Sequence, residues 1–119
     1  MHDREDTLRR YLAIWNGEVD MSELDALVTD DYVGHIGSRD RNREQLKGDI
    51  VEYRSATPMV HFTVQHRFGE GEYLATRVRA KATDERGKRS VAQGLNISRW
   101  RGPLLAEEWA VWEPLHQTD

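Results

Sequence analysis

The chain predicts an α+β fold, with helices gathered in its first half and an antiparallel strand meander in its second. Three observations carry this expectation. Up to residue 55 the apolar residues recur at helical spacing. From residue 60 onward they alternate with polar ones, the period of a strand with two different faces. Between the strand-like runs stand glycine-bearing turns: GEGE at 69–72, DERGKR at 84–89 and Gly102-Pro103. Helices followed by a meander pack as helices on one face of a curved sheet. No repeat, linker or low-complexity run divides the chain, so residues 1–119 are read as one domain.

The first helix is opened by Asp6 or Thr7 and carries the stripe Leu8, Tyr11, Leu12 and Trp15; Asn16-Gly17 stops it. A shorter second helix starts with the capping pattern Ser22-x-x-Asp25 and presents Leu24, Leu27 and Val28. DDYVGHIG (30–37) reads as a short extended piece. A third helix spans roughly residues 41–55, with Leu46, Ile50 and Tyr53 inward, Val51 on its flank and Pro58 beyond its end. In VHFTVQHRF (60–68), Phe62, Val64, His66 and Phe68 share a face. In EYLATRVRAKA (72–82), Leu74, Thr76, Val78 and Ala80 oppose Ala75, Arg77, Arg79 and Lys81. SVAQGLNISRW and LLAEEWAVWE complete the meander.

Composition excludes several classes. There is no cysteine, hence no disulfide framework, iron–sulfur cluster or thiolate zinc site. Net charge is −4, with the 17 basic residues dispersed among 21 acidic ones, which argues against a nucleic-acid partner. No apolar run approaches the ~20 residues of a membrane helix. The charged start MHDREDTLRR lacks an apolar leader, so a cytoplasmic location is expected. The histidines do not converge with carboxylates at ligand spacing, so no metal and no other cofactor is expected.

The segments YLAIWNGEVDMSELDALVTDDYVGH (11–35), GLNISRWRG (94–102) and EEWAVWE (107–113) resemble the nuclear-transport-factor-two-like superfamily. Within it the chain looks most like the SnoaL-like polyketide-cyclase branch. The resemblance implies a cone: a curved antiparallel sheet with three N-terminal helices enclosing a largely apolar pocket for a small apolar molecule. It implies the fold more than any one reaction, since relatives include cyclases, isomerases, hydrolases and proteins of no assigned chemistry.

Two candidates for catalysis follow. His35 ends DDYVGH, where the resemblance implies a histidine at the pocket mouth, and imidazole titrates near neutrality. Glu108 alternates with Ala106, Ala110 and Trp112, and two alanines leave room beside a carboxylate whose desolvation would tune it for proton transfer. If Gly102-Pro103 is a tight connection, Gln93, Leu95 and Ile97 share the face of Glu108; a register shifted by one presents Asn96 and Ser98 instead. Gln93 is the favoured binding partner, because Leu95 and Ile97 are apolar. Trp15, Tyr32 and Trp112 are the expected pocket walls, and Tyr32 also a hydroxyl donor. Arg77 and Arg79 are assigned to a solvated or pairing surface, since an arginine at 79 departs from the carboxylate–arginine network of hydrolase relatives. His66 is expected to point inward and His61 outward.

Three functions are thus in play: a cofactor-independent enzyme that cyclises or isomerises a small carbonyl compound, a non-catalytic binding module of the same fold, and an epoxide-hydrolase-like enzyme. A homodimer is expected through the outward sheet face, on which Leu105, Trp109 and Val111 fall together.

Overall fold

The computed structural model describes residues 3–118. Helix α1 spans Arg4–Trp15 and is capped by Asp3, whose carboxylate accepts from the Asp6 amide. It therefore begins earlier than Asp6 or Thr7: the Asp3 cap leaves Glu5 and Asp6 in the first turn, where the helix dipole favours acids. The helix ends as expected at Asn16, with Gly17 in the left-handed region (φ 76). Asn16 also clamps the sheet: its Nδ2 donates to the Phe62 carbonyl at 3.2 Å and its Oδ1 accepts from the Phe62 amide at 2.6 Å.

The second helix is a 3-10 helix, Met21–Ala26, and the Ser22-x-x-Asp25 capping box is not formed. Asp25 faces outward instead, paired with Lys47 at 2.8 Å. Val28 leaves the helix to start strand β1, Val28–Ile36, which is longer than the extended piece expected there. Residues Arg39–Asn42 form an edge strand, β2, before helix α2, Arg43–Ala56. Asn42 and Gln45 cap α2 reciprocally at 2.9 Å, a true capping box.

The remaining strands are β3 (Val60–Glu70), β4 (Tyr73–Thr83), β5 (Arg89–Arg101), β6 (Leu104–Trp112) and the short β7 (His116–Gln117). The curved, unclosed sheet has the order β2-β1-β6-β5-β4-β3, with β7 on β5. Its pairs are antiparallel except β1 with β6, which run parallel. The helices cover one face. Tyr11, Ile14, Leu24, Leu27, Leu46 and Ile50 pack there on Val28, Tyr32, Leu74, Trp100 and Leu105. Ile14 and Ile50 are both 0 % exposed, so truncating either to alanine costs roughly 2–5 kcal/mol. No described helix is long and apolar enough to cross a membrane.

Beside a register shift on β1 between Val28 and Val33, bulges on β6 and β3 decide which side chains face the helices. The β5–β6 turn is the tight one expected, with Arg101 opposite Leu104. The register then shifts between Arg99 and Trp100, because Ala106 is an extra residue on β6. Beyond it Ser98 stands opposite Glu108 and Asn96 opposite Ala110. Gln93, Leu95 and Ile97 are consequently on the outer face, where Leu95 is 64 % and Ile97 50 % exposed. The same bulge sends Leu105 into the core, 2 % exposed, instead of beside Trp109 and Val111. A second bulge, at Gln65 on β3, places His66 opposite Arg77 and Phe68 opposite Ala75. Past Val64, therefore, His66 and Phe68 join His61 on the outer face, and the inward placement expected for His66 does not hold.

Candidate functional site

On the helix-facing side of β6, Glu108 is buried, 5 % exposed, and hydrogen-bonded from three directions. Tyr11 of α1 and Tyr32 of β1 both donate their hydroxyls to its Oε2 at 2.9 Å. Asn96 of β5 donates Nδ2–H to its Oε1 at 2.8 Å. Local sequence explains how four side chains converge. Gly34 stands opposite Glu108, and a Cβ there would lie 2.3 Å from the Tyr32 hydroxyl oxygen. Only glycine leaves that hydroxyl its place. Ala106 and Ala110 flank the carboxylate, and both are buried.

Burial raises the proton affinity of Glu108, while the bonds from Asn96, Tyr11 and Tyr32 oppose that rise in part. The net direction is upward. Burial also lifts both phenols, Tyr11 further through the nearby Glu108 charge and Tyr32 through Tyr11 and Glu108. Both therefore remain protonated donors. A buried carboxyl of raised proton affinity with intact donors can take up and return a proton.

An aromatic wall adjoins this group. Trp112 packs over Gly94, where a Cβ would meet the indole at 2.3 Å. Its ring is 5.7 Å from Phe62, edge to face. Phe62 in turn contacts Trp15 at 5.8 Å and Tyr53 at 5.7 Å. Trp15 and Trp112 thus belong to one aromatic group, on the face that bears Glu108 and Tyr32.

The structure does not bring His35 or Gln93 to that face. Gly34 points inward, so His35 points outward, stacked on Trp109 with ring centroids 5.3 Å apart. Its Nε2 is 2.7 Å from Glu107 Oε2 and its Nδ1 2.8 Å from Asp40 Oδ1. Glu107 also accepts from Arg99 Nε at 3.1 Å. These two carboxylates, Glu107 first, raise the imidazole's proton affinity, and His35 holds Glu107 below its usual range. Gln93 is paired with Arg79 on the outer face, and Arg77 projects there too. Among the described residues no three histidine or acidic side chains are grouped as a metal site.

Tyr11 is the member of the site that the sequence does not single out, and Asn96 the one it offers only as the alternative to Gln93. Tyr11 reads as one more apolar position of the α1 stripe, and its hydroxyl meets a residue 97 positions away. Asn96 was weighed only in the shifted register. The polar run Asn96-Ile97-Ser98 held a signal. Ser98 faces inward as well, donating to the Leu74 carbonyl at 3.2 Å and accepting from Trp100 Nε1 at 2.8 Å.

With this geometry in hand, the chain can be set beside known proteins. Wild-type IdmH from Streptomyces antibioticus, a candidate polyketide cyclase, is 25% identical, with a TM-score of 0.83 over 94% of this chain and 93% of that one. A loop-truncation variant of IdmH is 26% identical, with a TM-score of 0.84 over 92% of each chain. A SnoaL-like polyketide cyclase from Agrobacterium tumefaciens shares the fold at 17% identity, with a TM-score of 0.78 over 95% and 93%. Among curated proteins no relative matches. The model of the SnoaL-like domain matches residues 8–108, a span that contains Glu108 and the three side chains bonded to it, and the chain belongs to that family.

Proposed function

We propose that the protein is an enzyme that moves a proton on a small, largely apolar carbonyl compound, in a cyclisation or an isomerisation, with Glu108 as the acid–base group. One observation carries this: a buried carboxylate bonded to Tyr11, Tyr32 and Asn96 on the face lined by Trp112 and Phe62. Family membership and the cyclase neighbours support an enzymatic role at the level of the family. The chemistry asked of Glu108 is general base catalysis, typically worth a factor of ~10²–10⁴. Trp15, Tyr32 and Trp112 line the substrate's place; Asn96 takes the position expected for Gln93. The enzyme works without cofactor, in the cytoplasm.

The test is deuterium incorporation at the α-carbon of 2-tetralone in D₂O, followed by proton NMR. Wild type should exchange these protons well above the solvent rate and Glu108→Gln at the solvent rate, with 2-tetralone affinity unchanged within a few-fold. Binding without exchange in the wild type overturns catalysis in favour of a binding module.

A homodimer through the outer sheet face completes the proposal. Leu95, Ile97 and Val111, the last 70 % exposed, form an apolar lane beside Trp109. On one flank Arg77, Arg79 and Lys81 have no carboxylate partner among the described residues. The other flank carries Glu107 and Asp40. An apolar lane of this kind can lie against its own copy after a half-turn, the symmetry of a two-fold dimer.

A further inference from the structure

The bonding around Glu108 leaves one position open. An ionised carboxylate has about four lone-pair sites, two on each oxygen. Oε2 is filled by the Tyr11 and Tyr32 hydroxyls, and Oε1 holds one bond from Asn96. The remaining site is on Oε1, beside Asn96. Asn96 is itself half-buried, whereas Glu108, Tyr11 and Tyr32 are buried. An amide nitrogen carries two hydrogens; neither the second one nor the Asn96 carbonyl oxygen has a partner among the described residues. Gly94, Ala110 and Thr76 neighbour Asn96 on this face, with the Trp112 indole packed over Gly94.

We infer that Glu108 exchanges its proton with substrate through Oε1 alone, and that Asn96 gives its free N–H to the substrate oxygen on which charge develops. This deepens the proposed acid–base function and rests on it. The ligand is a ketone whose carbonyl oxygen meets Asn96 while its α-carbon faces Oε1. The α C–H bond breaks and its proton goes to Oε1. The electron pair of that bond forms the enolate double bond, and the carbonyl π pair moves onto oxygen, toward the Asn96 N–H. Where the ketone is β,γ-unsaturated, the pair is shared over a dienolate and Oε1 returns the proton to the γ-carbon, which is isomerisation. Alternatively the enolate carbon adds to an internal carbonyl, the substrate ketone re-forms, and the new alkoxide takes the proton from Oε1, which is cyclisation. Nothing is oxidised or reduced. Asn96 is on this account a catalytic residue, while Tyr11 and Tyr32 are positioning residues that tie down Oε2 and keep Oε1 turned to the substrate.

Two probes separate these roles: 2-tetralone exchange across pH, and fluorescence titration with 2-naphthol, whose oxygen mimics an enolate. Asn96→Ala should lower the plateau exchange rate by ~10²-fold or more, as loss of a donor to a developing oxyanion does, with 2-naphthol affinity down about tenfold. Tyr11→Phe should move the rate profile to higher pH, keeping the plateau within about tenfold and 2-naphthol affinity within about threefold, because a lost donor to the carboxylate acts through its proton affinity. If Asn96→Ala does not fold, as judged by circular dichroism, Asn96→Val, which likewise lacks a donor, carries the same expectation. The assignment is overturned if Tyr11→Phe loses plateau rate and 2-naphthol affinity to the extent expected of Asn96→Ala. It is equally overturned if Asn96→Ala only shifts the profile. Absence of exchange by the wild type instead removes the acid–base function itself.

Discussion

His35 and Glu108 lie on opposite faces of one sheet, although their strands are hydrogen-bonded neighbours. Gly34 is the register partner of Glu108 and His35 that of Trp109, so the pleat turns the imidazole outward and the carboxylate toward the helices. The two groups therefore serve separate networks: Glu108 with Tyr11, Tyr32 and Asn96, and His35 with Glu107, Asp40 and, through Glu107, Arg99.

Stability should report the strain of burying Glu108. Its proton affinity in the fold lies above the ordinary carboxylate value of 4.5, burial being the main cause. The native state then binds more protons than the unfolded chain, so this group's contribution falls as pH rises from 4.5 toward the folded value. Glu108→Gln removes that loss. The melting temperature of the variant relative to wild type should climb between pH 4 and pH 7. A flat difference would show that the three donors already offset the burial.

His35 makes the opposite prediction. Its folded value lies above the ordinary 6.5, through Glu107 first and Asp40 next, so its stabilisation is complete below 6.5 and fades as pH rises through the folded value. Glu107 is lowered, chiefly by His35, so its share is present above 4.5 and is lost at lower pH, as it passes its folded value. The destabilisation caused by His35→Gln should be largest between about pH 4.5 and 6.5 and smallest at pH 9, read by thermal melts. Exchange of 2-tetralone protons should stay within a few-fold of wild type. A loss comparable to that of Glu108→Gln would return His35 to the chemistry.

Gly34→Ala should couple packing to the site. The added methyl would sit 2.3 Å from the Tyr32 hydroxyl, and Tyr32 is 1 % exposed, with little room to move. Overpacking of this kind costs roughly 1–3 kcal/mol. Displacing the hydroxyl also removes a donor from Glu108, so the rate profile should move to higher pH, as for Tyr11→Phe. Denaturant melts together with a pH profile check both halves.

Val111→Asp should separate assembly from chemistry. Val111 sits in the apolar lane of the outer face, opposite Leu95. A charge there has no partner on the same lane and should shift sedimentation to a monomer, leaving the far-ultraviolet circular dichroism unchanged. A wild-type monomer at micromolar concentration would rule out the dimer at the start.

Much of this was legible from one dimension. Helical spacing located α1 and α2, alternation placed the inner face of β4, and the face that Glu108 shares with Ala106 and Ala110 is the buried one. Tight turns carry their own glycines, so Arg101 opposite Leu104 was expected and found. What pattern could not show was the extra residue at Ala106 and the one at Gln65. A bulge leaves no signature in composition, yet it flips every side chain beyond it. That single residue put Asn96 instead of Gln93 beside the carboxylate and left Leu95 and Ile97 exposed. Nor could periodicity distinguish Tyr11 from an apolar stripe residue, because its hydroxyl finds its partner only when α1 is laid across β6. The local chain chose the elements and their faces; the register of β5 on β6, set by packing across the whole sheet, chose the site.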